Sequence, residues 1–334
     1  MTRFLQIPLL LTAVMLFSGC MFINIPLTFP PGTYQEIPFR GKESSRKILI
    51  LDIDGAITSG ATEENPFLPR GDSMVNQVIS KLDKARADKN IKAVVLRIDS
   101  PGGGVTASDV IYRELKNFKD ETGIPVYAGM LDMATSGGYY IAMAADHIYA
   151  HPTTVTGSIG VIALFPQFED LGRKIGVYFE VIKSGDNKDM TGGFKNMSAE
   201  QRAIMQQTID ELQSRFVDVV AEGRPELPRE TIARLADGRI YTAEQATELG
   251  LIDGIMYMED LIDLVKANEG LKNPTVVFYR KSNRETIDSF YAKSTAHLSD
   301  ELPAVAPMAS LINIDGRGLG SLHRPVFQYL WLPY

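Results

Sequence analysis

From Lys47 onward the chain switches regularly between two periodicities. Ile48 to Ile53 is an apolar run of strand length. Met74, Val78, Leu82 and Ala85 then recur at helical spacing, and Ala93 to Ile98 reads as another strand. A helix around Ser108 to Asn117, a strand at Val126 to Met130, a helix after Ser136 and a strand at His147 to Ala150 continue the series. Strands alternating with helices in this way predict parallel βαβ units around a buried sheet, an α/β fold.

After Gly193 the pattern turns helical. Ser198 with Gln201 three residues later makes a capping box, and Met205, Ile209, Leu212, Phe216 and Val220 line one face. A further helix opens at Thr242, again with a Gln three residues on, and stops at Gly250. Both faces read as core packing. Residues 20–46 read as a linker, since from residue 26 prolines and polar residues such as Pro30-Pro31-Gly32 suit an extended segment. Beyond about Asn268 the periodicity is lost, and 269–334 reads as an irregular extension, partly disordered or docked on a neighbouring subunit. There is no internal repeat.

The first twenty residues bear on the compartment. They carry one basic residue, Arg3, and an apolar run from Leu5 to Phe17 that is shorter than the roughly 20 residues of a membrane-spanning helix. This is a secretory signal in plan. Its last residues, L-F-S-G-C, resemble the bacterial lipobox, with Phe17 in place of the usual leucine. That pattern implies a signal peptide over 1–19, cleavage before Cys20 and lipidation of its thiol. The alternative is an uncleaved anchor running on through Ile25. Either way the chain is expected to be exported and membrane-tethered in the cell envelope, with its folded domain outside the cytoplasm.

Composition narrows the chemistry. The 334 residues are 45% hydrophobic and 22% charged, enough for one large domain or two small ones. A net charge of −7 with no basic stripe argues against a nucleic-acid partner. Cys20 is the only cysteine, which excludes an internal disulfide, a thiolate metal cluster and a cysteine nucleophile downstream. No His, Asp or Glu cluster has metal-ligand spacing, so neither metal nor cofactor is expected. His147 and His151 follow Ser136 too closely, and His297 and His323 lie in the extension, which disfavours a Ser-His-Asp triad.

Three stretches remain as candidate chemistry. M-A-T-S-G-G-Y-Y-I, from Met133 to Ile141, presses Ser136 against two glycines between a strand and a helix, where glycine admits close backbone approach and amides stay free at the helix start. Taken alone, Ser-Gly-Gly also makes an ordinary turn. I-D-S-P-G-G-G-V-T, from Ile98 to Thr106, places bare amides at the C-terminal end of a strand, where open α/β sheets bind ligands. It fits neither a P-loop nor G-x-G-x-x-G, so an oxyanion hole or a plain strand-to-helix turn remains. Lys188, in S-G-D-N-K-D-M, is either solvated surface or a general base, since desolvated lysine can partner serine.

Together these stretches carry a resemblance. S-P-G-G-G at Ser100 to Gly104, T-S-G-G-Y-Y-I at Thr135 to Ile141, T-G-S-I-G-V at Thr156 to Val161, G-D-N-K-D at Gly185 to Asp189 and D-G-R-I-Y-T-A-E-Q-A at Asp237 to Ala246 resemble the bacterial signal peptide peptidase A family. The resemblance covers 47–268 and implies a membrane-associated serine peptidase. The implied fold is Clp-protease/crotonase-like, with stacked ββα units, parallel sheets and C-terminal helices. It implies Ser136 as nucleophile, Lys188 as general base, Gly103 and the Gly137 N–H as oxyanion-hole donors, and Ser158 as an auxiliary hydroxyl that orients the lysine. It further implies cleaved signal peptides and other unfolded apolar peptides as substrates. By length the chain resembles the short form, whose subunits form homo-oligomeric rings that complete sites across interfaces. Many relatives are held by a membrane-spanning segment, whereas this chain reads as a lipoprotein.

Three other readings compete. L-D-I-D-G-A-I, from Leu51 to Ile57, mimics the start of a haloacid dehalogenase-type phosphatase, but Ala56 stands where threonine belongs. A crotonase-type enzyme acting on coenzyme A thioesters shares the oxyanion logic without needing a lysine partner. A catalytically inactive envelope scaffold is compatible with the motifs alone.

Overall fold

The apolar run of the second strand is buried on both of its faces. In a computed structural model, which describes residues 34–41, 44–60, 72–281, 289–291 and 327–330, Leu49, Leu51 and Ile53 pack into one core cluster while Ile48 and Ile50 pack into another. A strand alternates its side chains, so two-sided burial produces the near-continuous apolar run seen in the sequence.

The elements in chain order are β1 (Gln35–Arg40), β2 (Lys47–Asp54), α1 (Met74–Ala87), β3 (Ile91–Ser100), β4 (Gly102–Gly104) and α2 (Val105–Thr122). There follow β5 (Val126–Thr135), α3 (Gly137–Ala142), β6 (His147–Ala150), β7 (Val155–Gly157), β8 (Ile162–Ala163), α4 (Glu169–Ile175) and α5 (Ala199–Gly223). The series closes with α6 (Arg229–Leu235), β9 (Ile240–Thr242), α7 (Ala243–Glu248), β10 (Gly254–Ile255), α8 (Met258–Asn268), β11 (Thr275–Arg280) and β12 (Phe327–Leu330).

The main sheet runs β1-β11-β2-β3-β5-β6-β10, with β7 pairing the far half of β5 and β9 pairing β7. Pairs from β11 through β2, β3, β5 and β6 to β10 are parallel, as the alternation of helices and strands predicts. On one face α1, α2 and α3 bury Val78, Leu82, Ile111, Leu115, Phe118 and Tyr140 against Leu49, Leu96 and Ala128. On the other, α8 contributes Met258, Leu261, Ile262 and Val265 against Ile50, Val95 and Phe278. Ser198 and Gln201 form the expected reciprocal cap of α5, and Thr242 with Gln245 does the same for α7. Among the described residues no helix is long and apolar enough to cross a membrane.

Two boundaries differ from the sequence reading. Residues 35–40, expected as linker, form β1, and residues 275–280, expected in the irregular extension, form the fully buried β11 between β1 and β2. A six-residue strand such as T-V-V-F-Y-R has too little length for a periodic signal, and its partner β2 lies far away in sequence. Phe39 and Phe290 seal this edge, with ring centroids 4.8 Å apart.

The second face also holds a buried ion cluster. Asp52 receives Arg97 Nε at 2.6 Å and Arg280 Nη2 at 2.6 Å, and Arg97 Nη1 donates to the Phe290 carbonyl at 2.9 Å. Burial by itself would raise the Asp52 carboxyl, but the Arg97 and Arg280 guanidiniums outweigh it and hold the group below the usual carboxylate range. Asp52 is thus engaged in tying β2 to β3 and β11, a structural role.

Candidate active site

Ser136 sits where β5 ends and α3 begins. Its backbone is at φ 52° and ψ −113°, a positive-φ conformation that a non-glycine residue adopts only when its surroundings enforce it. The enforcement comes from two backbone bonds: Ser136 N–H donates to the Gly157 carbonyl on β7 at 2.7 Å, and Tyr140 N–H donates to the Ser136 carbonyl at 2.8 Å. A sharp strand-to-helix turn of this kind sets a serine hydroxyl at the head of a helix, with the next amides unsatisfied by helical bonding. The residue is fully buried, and among the described residues its Oγ has no hydrogen-bond partner.

The two glycine clusters meet at this point. A Cβ on Gly137 would lie 2.5 Å from Ser108 Oγ and 3.2 Å from Gly103 N, and one on Gly138 would lie 3.0 Å from the Ser100 carbonyl. Only glycine lets α3 approach β4 so closely. Gly103 is constrained on its other side, where a Cβ would meet the Ile57 carbonyl at 2.1 Å. Ile57 N–H donates to the Gly102 carbonyl at 2.9 Å, and the Ile57 carbonyl accepts from Gly104 N–H at 2.9 Å. Alternation along a strand therefore turns the Gly103 N–H toward the opposite edge.

That opposite edge is occupied by the chain itself. β12 lies antiparallel to β4, with Tyr329 opposite Gly103, and antiparallel to β8, with Phe327 opposite Ala163. It also runs against α3. The slot between β4 and β8 thus receives an extended segment by backbone pairing, beside Ser136. β8 is the part of the site that sequence reasoning missed. Two residues carry no period, and the only signal nearby was the T-G-S-I-G-V string just before it.

Ser158 falls next to this turn, since it follows the Gly157 whose carbonyl holds Ser136. It is buried at φ 50°, and its N–H donates to the Arg239 carbonyl at 2.8 Å. That bond ties the D-G-R string to the site. Lys188 is placed differently. It is exposed in a turn where its N–H donates to the Gly185 carbonyl at 3.1 Å, and within one chain it is not hydrogen-bonded to Ser136 Oγ. The neighbouring Lys183 is engaged, with Asp189 at 2.7 Å, an ion pair that holds the Asp189 carboxyl below its ordinary range. Just before this turn, Leu171, Ile175, Tyr178 and Ile182 are exposed, Ile182 at 95%. Cys20 lies outside the described residues.

Chemically, the arrangement offers a desolvated hydroxyl beside two backbone amides and a slot for an extended peptide, which are the parts acyl transfer needs apart from a base. Residues 118–272 match the model of peptidase family S49, and residues 68–156 match that of Clp protease. The chain is 34% identical over 286 residues to a putative signal peptide peptidase SppA of Enterococcus faecium, covering 86% of this chain and 82% of that one. It is 32% identical over 231 residues to Protease 4 of Haemophilus influenzae, covering 69% and 36% of the two chains. It is 34% identical over 222 residues to the chloroplastic serine protease SPPA of Arabidopsis thaliana, covering 66% and 32%.

Proposed function

The chain belongs to the S49 family of serine peptidases, and on that premise we propose that it is a membrane-tethered endopeptidase with Ser136 as nucleophile and Lys188 as general base. The observation that carries this reading is the Ser136 hydroxyl, without a hydrogen-bond partner among the described residues and buried at a strained turn beside the Gly103 amide and beside a slot that already holds an added strand. A substrate peptide takes the same slot in extended form by displacing β12 from β4 and β8, which selects unfolded segments. Cleaved signal peptides and other unfolded apolar peptides are the proposed substrates.

Lys188 Nζ, as the neutral amine, takes the Ser136 Oγ proton while Oγ attacks the peptide carbonyl carbon. The carbonyl electron pair moves onto oxygen, where the Gly103 and Gly137 amides hold it. Collapse expels the peptide amine, which takes the proton from Lys188 and leaves an acyl ester on Ser136. Water then attacks the ester, again with Lys188 as base, and Ser136 is restored.

A lysine becomes such a base when it is removed from solvent. In one chain Lys188 is exposed and the segment before it displays apolar side chains, so the reading assigns the pairing to an oligomer in which Lys188 of one copy serves Ser136 of the next. Co-expressed Ser136→Ala and Lys188→Ala chains are expected to regain peptide hydrolysis that neither shows alone. Inactive mixed oligomers would refute the pairing between copies. The tether is tested separately: the mature chain is expected to begin at a lipidated Cys20, visible by mass spectrometry, and an intact Met1 would count against processing.

A further inference from the structure

The turn at Ser136 is strained, and the helix that holds it, α3, spans only Gly137–Ala142. A helix this short has no stability of its own, so its position is set by tertiary anchors. Tyr139 supplies one by donating from its hydroxyl to the Leu251 carbonyl at 2.8 Å. Tyr140 supplies the other. Its ring is fully buried between Tyr112 and Phe216, at 5.5 and 5.0 Å, and its hydroxyl donates to Asp109 Oδ1 at 2.5 Å.

Asp109 Oδ1 is shared. Arg215 donates to it from Nη2 at 2.9 Å and from Nε at 3.2 Å. The three residues come from the three elements that lead from the three candidate site groups. Tyr140 is on α3, whose head is Ser136. Asp109 is on α2, which begins at Val105 directly after the Gly103 strand, and Arg215 is on α5, the first helix after the Lys188 turn. We propose that Asp109 is a positioning residue: through Tyr140 it locks α3 to α2, and so fixes the distance between the Ser136 hydroxyl and the Gly103 amide, with Arg215 extending the lock to α5. The inference rests on Ser136 being the nucleophile.

A half-exposed ion pair such as Asp109 with Arg215 contributes little to global stability. The bond from the buried Tyr140 hydroxyl acts instead on geometry, where a shift of about 1 Å costs on the order of a hundredfold in rate. Tyr140→Phe keeps the ring packing and removes the hydroxyl, which also meets Arg215, and Asp109→Ala removes the acceptor. Both are expected to slow fluorophosphonate acylation of Ser136 and to lower kcat for a peptide by about 10- to 100-fold, with KM unchanged. The double variant is expected to be no slower than Asp109→Ala alone, because the bond between Tyr140 and Asp109 is already lost in either single variant. Amides of α3 should exchange hydrogen faster in both variants, with the rest of the sheet unaffected.

If the wild type labels at Ser136 and both variants label at its rate, the positioning role is overturned. It is also overturned if active-site titration shows fewer folded molecules reacting at the wild-type rate, which is what a merely structural role produces. If the wild type does not label at Ser136, the peptidase reading fails instead. Hydrogen exchange then decides the lock by itself, and unchanged α3 protection in both variants removes it.

Discussion

Ser136→Ala is expected to lower peptide turnover by about 10^6-fold, to the level left by the oxyanion amides and substrate binding alone. Fluorophosphonate labelling should vanish with it. The same change is expected to leave the melting temperature unchanged or to raise it, because Ser136 Oγ is buried without a partner among the described residues and its removal breaks no hydrogen bond with them. Ser136→Gly should be more stable still, since glycine adopts φ 52° without strain, a gain of about 1 kcal/mol. Activity and stability thus move in opposite directions at one position, as expected where a fold holds a reactive group against its own preference. Turnover within tenfold of wild type in Ser136→Ala would remove Ser136 from the chemistry. A clear fall in melting temperature would show that the hydroxyl has a structural partner.

Asp52→Ala carries the largest expected effect on stability. It leaves the Arg97 and Arg280 guanidiniums, each with a side chain only 7% exposed, without the carboxylate between them. Breaking a buried ion pair from one side costs about 3–5 kcal/mol, or roughly 10 °C in melting temperature for a domain of this size. The pH dependence follows from the same site. The folded-state carboxyl is held below its ordinary value of about 3.9, so its stabilisation is complete above that value and is lost as pH falls through the folded-state value. Wild-type melting temperature should therefore drop steeply below about pH 4, and Asp52→Asn should lack that part of the drop. A loss under about 1 kcal/mol in Asp52→Ala, measured by chemical denaturation, would mean that the two arginines find other acceptors.

Much of the fold was legible because its signals are local. Met74, Val78, Leu82 and Ala85 marked α1 by spacing alone, the Ser198–Gln201 pair marked the start of α5, and apolar runs marked β2, β3 and β5. β1 and β11 were not legible as part of the sheet. Neither length nor period distinguishes them from linker, and β11 is a strand because β1 and β2 satisfy its backbone while β1 is one because β11 does. Asp52 was ambiguous in sequence for a related reason, since its arginines are 45 and 228 residues away and meet it only through strand pairing.

At the candidate site the division is sharper. A serine at a Gly-Gly turn and glycines after a strand are local arrangements that the sequence displays by itself, and the resemblance to the family singled out Ser136, Gly103 and Gly137 within them. The family assignment rests on the same strings, now supported by the match to peptidase family S49 over 118–272. Only the tertiary structure decided that the two glycine clusters face each other, that Ser136 is held at positive φ with its hydroxyl unpartnered among the described residues, and that β4 and β8 form a slot filled by β12. It also left Lys188 exposed and unbonded to Ser136 within one chain. Spacing along the sequence encodes which face of an element a residue occupies. Contacts between distant elements depend on how the sheet pairs and how closely helices approach it, and no local pattern carries that information.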